Sequence, residues 1–411
     1  MKPNTVATPL KSPGAAKERF PFPLLCLTLG AFAIGMTEFI IMGLLPNVAH
    51  DLNVSIPRAG MLITGYALGV AVGAPVLTIL TLRVPQKKLL VLLMGIFILG
   101  NAVSVVAPTY LTLLGARILT AFAHGTFLGV GALMASRLVR PEKKAGAVSM
   151  VMAGLTIANI VGVPFGTFIG QQLGWRASFV AITVLGLVSL LGIVRFIPAI
   201  TQDEPPKLSR ELRSLAHPQV LLMLATGAFG CASLFSIFTY ITPILEKISG
   251  FAEHDVTYIL VLFGFGVTIG NLVGGKLADW KLLPSVMVGF AVLALMLALL
   301  TVTLSQPVLA VITVFLWGIA AFGIFPGIQV RIMNFAHEAP LLSATSTHSV
   351  LNVGNAGGAY VGGLAITHLG LSTLPWVASS LALVGLLGMF ASFAVERRMK
   401  PTAAPGTRAS A

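Results

Sequence analysis

The chain consists of apolar runs of roughly 20 residues, following one another along almost its whole length. That is the length of helix needed to cross about 30 Å of hydrocarbon. Inside lipid every backbone polar group must be bonded internally, which leaves helices and closed barrels as the available folds. Barrel strands alternate polar and apolar residues over about 10 positions. These runs are continuous, so a barrel is excluded. Only 9% of the 411 residues are charged, against about 25% in soluble proteins. The fold class is an all-α membrane protein.

Hydropathy and proline punctuation predict twelve spans, at about 22–45, 58–82, 88–107, 109–137, 144–171, 176–197, 219–244, 254–279, 284–304, 307–331, 341–368 and 373–395. The first run is too long for a signal-peptide core and lacks a small-residue cleavage site, so it reads as a retained helix. Residues 198–218 are polar and carry prolines. They read as a linker between two six-helix bundles, 22–197 and 219–395, with tails at 1–21 and 396–411.

Lysine and arginine counts orient the chain. With the N-terminus inside, 22 of the 26 fall in inside segments and three (Arg58, Arg176, Lys247) outside. The formal charge of +13 is therefore a topology signal, and nucleic acid is not expected as a partner. Both termini are expected in the cytoplasm. Cys26 and Cys231 both lie in apolar runs, so neither a disulfide framework nor a thiolate metal cluster is expected. No nucleotide-binding loop, zinc signature or nucleophile elbow is present. The expectation is a protein without cofactor, metal or enzymatic activity.

The two halves repeat. Leu44-Leu45-Pro46 and Ile241-Thr242-Pro243 are offset by 197, as are Gly69-xxx-Gly73 and Gly266-xxx-Gly270. Asn159-xx-Gly162-xxx-Gly166 and Asn355-xx-Gly358-xxx-Gly362 are offset by 196. Six spans return the chain to the same side, so the repeats are parallel. In transporters of that design the substrate site lies near the midplane, between the repeats.

Among the 13 carboxylates only Glu38 sits well inside a span, and Arg117 is its basic counterpart. A carboxyl group stripped of water can carry a proton at neutral pH. The two residues lie at comparable depth, about 6 to 9 residues of 1.5 Å rise from the same face. They are expected to pair in one state and separate in another. A structural carboxylate held by helix-interface donors, and an arginine snorkelling to the interface, are the alternatives. His124 lies two turns beyond Arg117 on the same helical face. It can bind substrate, pass a proton, or simply bond two helices together.

Several stretches give the chain a family likeness: Gly35-Met36-Thr37-Glu38-Phe39, Tyr66-Ala67-Leu68-Gly69 with Gly73-Ala74-Pro75, His124-Gly125 with Gly129-Val130-Gly131, Thr156-Ile157-Ala158-Asn159, and Gly270-Asn271. Together they resemble the major facilitator superfamily. Within it they resemble the drug:proton antiporter-1 group, near the arabinose-efflux-like, purine-efflux and chloramphenicol-resistance transporters. The resemblance implies twelve helices in two six-helix pseudo-repeats in a bacterial inner membrane, and a monomer. It also implies proton-driven export of a small organic compound such as a drug, sugar or nucleoside. A proton-independent facilitator is the alternative, followed by a receptor that transports nothing.

The resemblance also suggests roles for particular residues. The family's loop motif after span 2 is degraded around Leu82 and Arg83 but well kept in the second half as Gly275-Lys276-Leu277-Ala278-Asp279. Asp279 is expected to latch onto the start of span 5, or else to be a solvated helix-end acid. Gly154 and Gly162-Val163-Pro164-Phe165-Gly166 look like the exporter-specific motif of antiporters. They imply a pliant helix at the interface between halves, with plain close packing as the alternative. By analogy with the fold, spans 1, 4, 7 and 10 line the cavity. The expected substrate contacts are His124, Phe235, Phe238, Thr239, Tyr240, Trp317, Phe322, Asn352 and Asn355, although aromatic rings in a membrane are also often packed or lipid-facing.

Overall fold

In a computed structural model the described residues are 22–81, 83–140, 143–199, 217–335 and 340–399. The expected tail at 1–21, most of the linker, most of the C-terminal tail, and Leu82 lie outside them. The helices are α1 (Phe22–Gly43), α2 (Ile56–Leu80), α3 (Gln86–Val106) and α4 (Tyr110–Arg137). Next comes α5, built of Lys144–Ile157, a π-helical turn Ala158–Gly162 and Val163–Leu173, then α6 (Trp175–Phe196) and α7 (Pro218–Phe238). The helix Glu253–Thr303 is 51 residues long, twice what a bilayer needs, and loses helical geometry at Lys281 (φ −147°, ψ 87°). It therefore makes two spans, α8 (253–280) and α9 (282–303). The set closes with α10 (Pro307–Gly323 continuing as Phe325–Phe335), α11 (Pro340–Leu369) and α12 (Leu374–Met399). Twelve spans result, and no strand occurs among the described residues.

The repeat is visible in the backbone. α1 breaks at Leu44 and restarts as a short helix Leu45–Asp51, and α7 breaks at Thr239-Tyr240 and restarts as Ile241–Lys247. Pro46 and Pro243 sit in the first turn of each restarted helix, where a missing N–H costs nothing. Between α5 and α6 the chain turns on Gly174 (φ 87°), and between α11 and α12 on Gly370 (φ 92°). Those left-handed conformations favour glycine.

The halves meet along two seams, α2 against α11 and α5 against α8. We call the end carrying Phe22 and Met399 the terminal end, and the other the distal end. At the distal end the halves are closed. Pro46 has no N–H to offer the carbonyl of Met42. Thr242 Oγ1, from the other half, donates to that oxygen at 2.8 Å. Tyr240 donates to Ala359 O at 2.8 Å, and its ring lies so close to Gly60 that a Cβ there would be 2.3 Å from the hydroxyl. Asn47 Nδ2 donates to Glu253 Oε1 and Gln171 Nε2 to Glu253 O, each at 2.8 Å.

The loops at this end are also anchored within the first half. Asp51 accepts from Trp175 Nε1 at 3.0 Å and from Arg176, whose guanidinium also reaches Ala107 O at 2.8 Å. Arg176 first, then Trp175, hold the Asp51 carboxyl below the usual carboxylate range. Stability from a depressed carboxylate is present above its ordinary value and is lost as pH falls through the lowered one. Thermal melts of detergent-solubilised protein should therefore show an acid-side decline that is shallower in Asp51→Asn. An identical decline in that variant would mean that other groups dominate it.

Candidate functional site

Below the distal closure lies a layer of stacked rings. Phe39 stacks on Phe235 (centroids 5.9 Å apart) and Phe238 on Phe263 (4.6 Å), while Trp317 packs against Phe263 at 5.0 Å. This layer floors a cavity of about 320 Å³ between the halves. The lining continues from Glu38 and Phe39 towards the terminal end through Leu128, Met152, Phe325 and His348.

Arg117, on α4, is fully buried. Its guanidinium donates to the backbone carbonyl of Thr37 and, at 3.3 Å, to that of Glu38, and it lies over the Tyr66 ring at 4.1 Å. A guanidinium at membrane depth needs such partners. The expected ion pair with the Glu38 carboxylate is absent in this state: the arginine holds the α1 backbone instead. The carboxylate points into the cavity, where His124 Nε2 lies 3.9 Å from Oε2. The other ring nitrogen of His124, Nδ1, bonds Tyr66 OH at 3.1 Å. Tyr66, His124 and Glu38 thus form a row from α2 through α4 to α1. Thr37 adds a bond to Asn101 Oδ1 of α3 at 2.7 Å, so α1 is held on two sides at the depth of Glu38.

Of the expected substrate contacts, His124, Phe235, Phe322, Asn352 and Asn355 line the cavity. Phe238 and Trp317 lie in the ring layer, while Thr239 and Tyr240 are buried in the distal closure. The lining also extends beyond α1, α4, α7 and α10: α5 adds Asn159, α8 Thr268 and Asn271, and α11 His348. A census of histidines within spans would have found His348, because among the described residues only His124 and His348 are histidines lying that deep. The side-chain oxygens of Asn352 and Asn355 are buried without a hydrogen-bond partner among the described residues.

The remaining motif residues have different surroundings. A Cβ at Gly154 would lie 2.4 Å from Thr28 O and 2.9 Å from Phe32 N, both α1 backbone. At Gly162 it would meet the Phe32 ring at 3.0 Å, and at Gly166 the Ile40 and Met36 side chains. These glycines therefore pack on α1 inside their own half, not on the interface between halves. That interface falls on another face of α5, at the π-turn before Pro164, where Gly264 of α8 abuts the Asn159 backbone (2.6 Å from a Cβ to the carbonyl oxygen). Backbone cannot swing aside as a ring can. Gly154→Ala should cost about 1–3 kcal/mol, and Gly162→Ala much less, as read by melting in detergent. Equal melting points would show that α1 and α5 are free to slide.

Asp279 and Arg83 are exposed, and Asp279 makes no hydrogen bond or ion pair among the described residues. Arg331, counted from sequence with the loop cations, is in fact buried in α10. It donates to Ser392 Oγ at 2.8 Å and Glu396 Oε2 at 3.2 Å on α12.

Two parallel six-helix halves around a central cavity, with one buried carboxylate among the described residues, make up the architecture of a membrane transporter. The chain matches the Major Facilitator Superfamily model over residues 27–350, and it belongs to that family. It is 43% identical over 378 residues to "Inner membrane transport protein YdhP" of Escherichia coli, covering 90% of this chain and 96% of that one. It is 32% identical over 375 residues to a "Chloramphenicol resistance protein" of Streptomyces lividans, covering 90% and 96%. A solved bacterial homolog of the human lysosomal transporter Spinster, described as inward-facing and unoccupied, shares the fold. Its TM-score is 0.68 at 15% identity, over 91% of this chain and 99% of that one.

Proposed function

We propose that this chain exports a small organic compound across a bacterial inner membrane in exchange for protons, with Glu38 as the proton carrier. The observation that carries the proposal is the Glu38 carboxyl in the cavity wall beside His124, the one acid among the lining residues. The basic asymmetry, 21 to three once the buried Arg331 is set aside, supports a cytoplasmic terminal end. On that reading the distal closure faces outwards and the cavity opens inwards. Asp279, unbonded here, engages the start of α5 when the cytoplasmic side shuts.

Coupling follows from the cost of burying charge. A charged side chain at membrane depth costs about 2.5–3.5 kcal/mol on insertion scales. An empty cavity closes readily only when Glu38 is neutral. Outside, substrate leaves and Glu38 takes up the proton that lets the empty cavity close; inside, the proton leaves and substrate binds. The protein alternates between two states, and each ligand biases the exchange. The substrate suited to this lining is uncharged or weakly charged. It offers hydrogen-bond donors to the Asn352 and Asn355 oxygens and a flat apolar face to Phe39, Phe235 and Phe322.

Proteoliposomes with an imposed pH gradient test this. Chloramphenicol is the first compound to try, since one relative is a chloramphenicol resistance protein, followed by sugars and nucleosides that raise the melting temperature. Accumulation against a concentration gradient supports antiport. Downhill movement indifferent to pH indicates a facilitator, and no movement of any compound that binds indicates a receptor.

A further inference from the structure

A second cavity, of about 380 Å³, opens sideways between α8, α9 and α10 near the terminal end. Its floor exists because α8 and α10 touch through backbone: a Cβ at Gly274 would lie 2.1 Å from Gly323 O, and one at Gly270 2.3 Å from Ile319 O. Its walls are apolar, and Val288 and Trp280 are 61% and 73% exposed. At its mouth stands Lys281, at the break between α8 and α9, with its ammonium 4.9 Å from the Trp280 ring centroid. Lys276, also exposed, balances the single negative charge of Asp279 nearby, which leaves Lys281 as the net positive charge. A tryptophan and a lysine at a helix end mark the membrane–water boundary. A parallel lies between α1 and α6, where Arg195 edges an apolar cavity of about 390 Å³ at the same end of the molecule.

We propose that the groove between α8, α9 and α10 is a site for an anionic phospholipid, with an acyl chain along the glycine floor and the phosphate on Lys281. Charge complementarity selects this occupant. A second copy of the chain would bring the same lysine against itself, and a zwitterionic lipid would leave the cation without net compensation. The proposal needs only that the chain is membrane-embedded, and so stands apart from the direction and coupling of transport.

The test uses full-length protein in phosphatidylcholine nanodiscs containing a minor fraction of brominated phosphatidylglycerol or, separately, brominated phosphatidylcholine. Trp280 quenching is the fluorescence quenching present in the wild type and missing in Trp280→Phe. Brominated phosphatidylglycerol should be favoured about fivefold, the ~1 kcal/mol that one basic residue is worth towards anionic lipid. Lys281→Gln should bring the two lipids level, and Val292→Phe, which fills the groove, should reduce quenching by both. Equal quenching by the two lipids in the wild type would overturn the anionic site. So would a preference that survives Lys281→Gln, or an absence of Trp280 quenching, which is what a second copy covering the groove would give.

Discussion

Glu38→Gln is expected to abolish accumulation driven by a pH gradient, while the protein still folds and still binds substrate. Glutamine keeps the shape and hydrogen-bonding reach of the neutral acid but can neither release a proton nor carry charge. With Glu38 ionised, closing the empty cavity carries the cost of about 2.5–3.5 kcal/mol, roughly a hundredfold in any step it gates. The variant loses that gate and closes equally well at every pH. Binding, followed by melting shifts, should change only modestly, because the Asn352 and Asn355 amides and the surrounding rings are untouched. Normal pH-driven transport by Glu38→Gln would remove Glu38 from the mechanism.

Arg117→Lys should reduce transport by tenfold or more without unfolding the protein. Lysine keeps the charge but not the planar fork that reaches two carbonyls from one position. The forked contact to Thr37 O and Glu38 O, together with the stacking on Tyr66, sets where the Glu38 side chain leaves α1. Each hydrogen bond from a charged donor is worth about 1.5–3 kcal/mol, so losing one shifts a poised equilibrium by at least tenfold. Arg117→Leu removes the charge and all the donors together, and should also lower the melting temperature. If Arg117→Lys transports at the wild-type rate, the strap on α1 has no part in coupling.

What the sequence made readable depended on the kind of information required. Span count and the repeat are local: apolar length and a constant offset carry them. The breaks at Leu44 and at Thr239-Tyr240 were not legible, because the predicted spans run unbroken over 22–45 and 219–244. Depth was readable too, since 1.5 Å per residue puts Glu38 and Arg117 at one level. Rotation was not. Each residue turns a helix by about 100°, so spacing alone could not say that Arg117 meets backbone carbonyls while Glu38 meets His124. Nor could it say that Gly154 and Gly162 face α1 when Asn159 and Ile160 between them face α8. The Lys281 break was readable as well, since the predicted spans end at 279 and resume at 284 and so bracket it. Pro284 marks a boundary, but the helix resumes immediately and leaves no loop.

Spin-label distances across the terminal end, measured without any substrate, probe the proposed link between the charge on Glu38 and closure of the cavity. Labels placed by Arg140→Cys and Lys276→Cys, with Cys26 and Cys231 replaced by serine, report the gap between the halves; both positions are exposed. The proton-carrier mechanism predicts a wide distribution at alkaline pH that narrows as pH falls, and a Glu38→Gln variant held at the narrow distribution throughout. A wild-type distribution indifferent to pH, or the same pH response in Glu38→Gln, would contradict it.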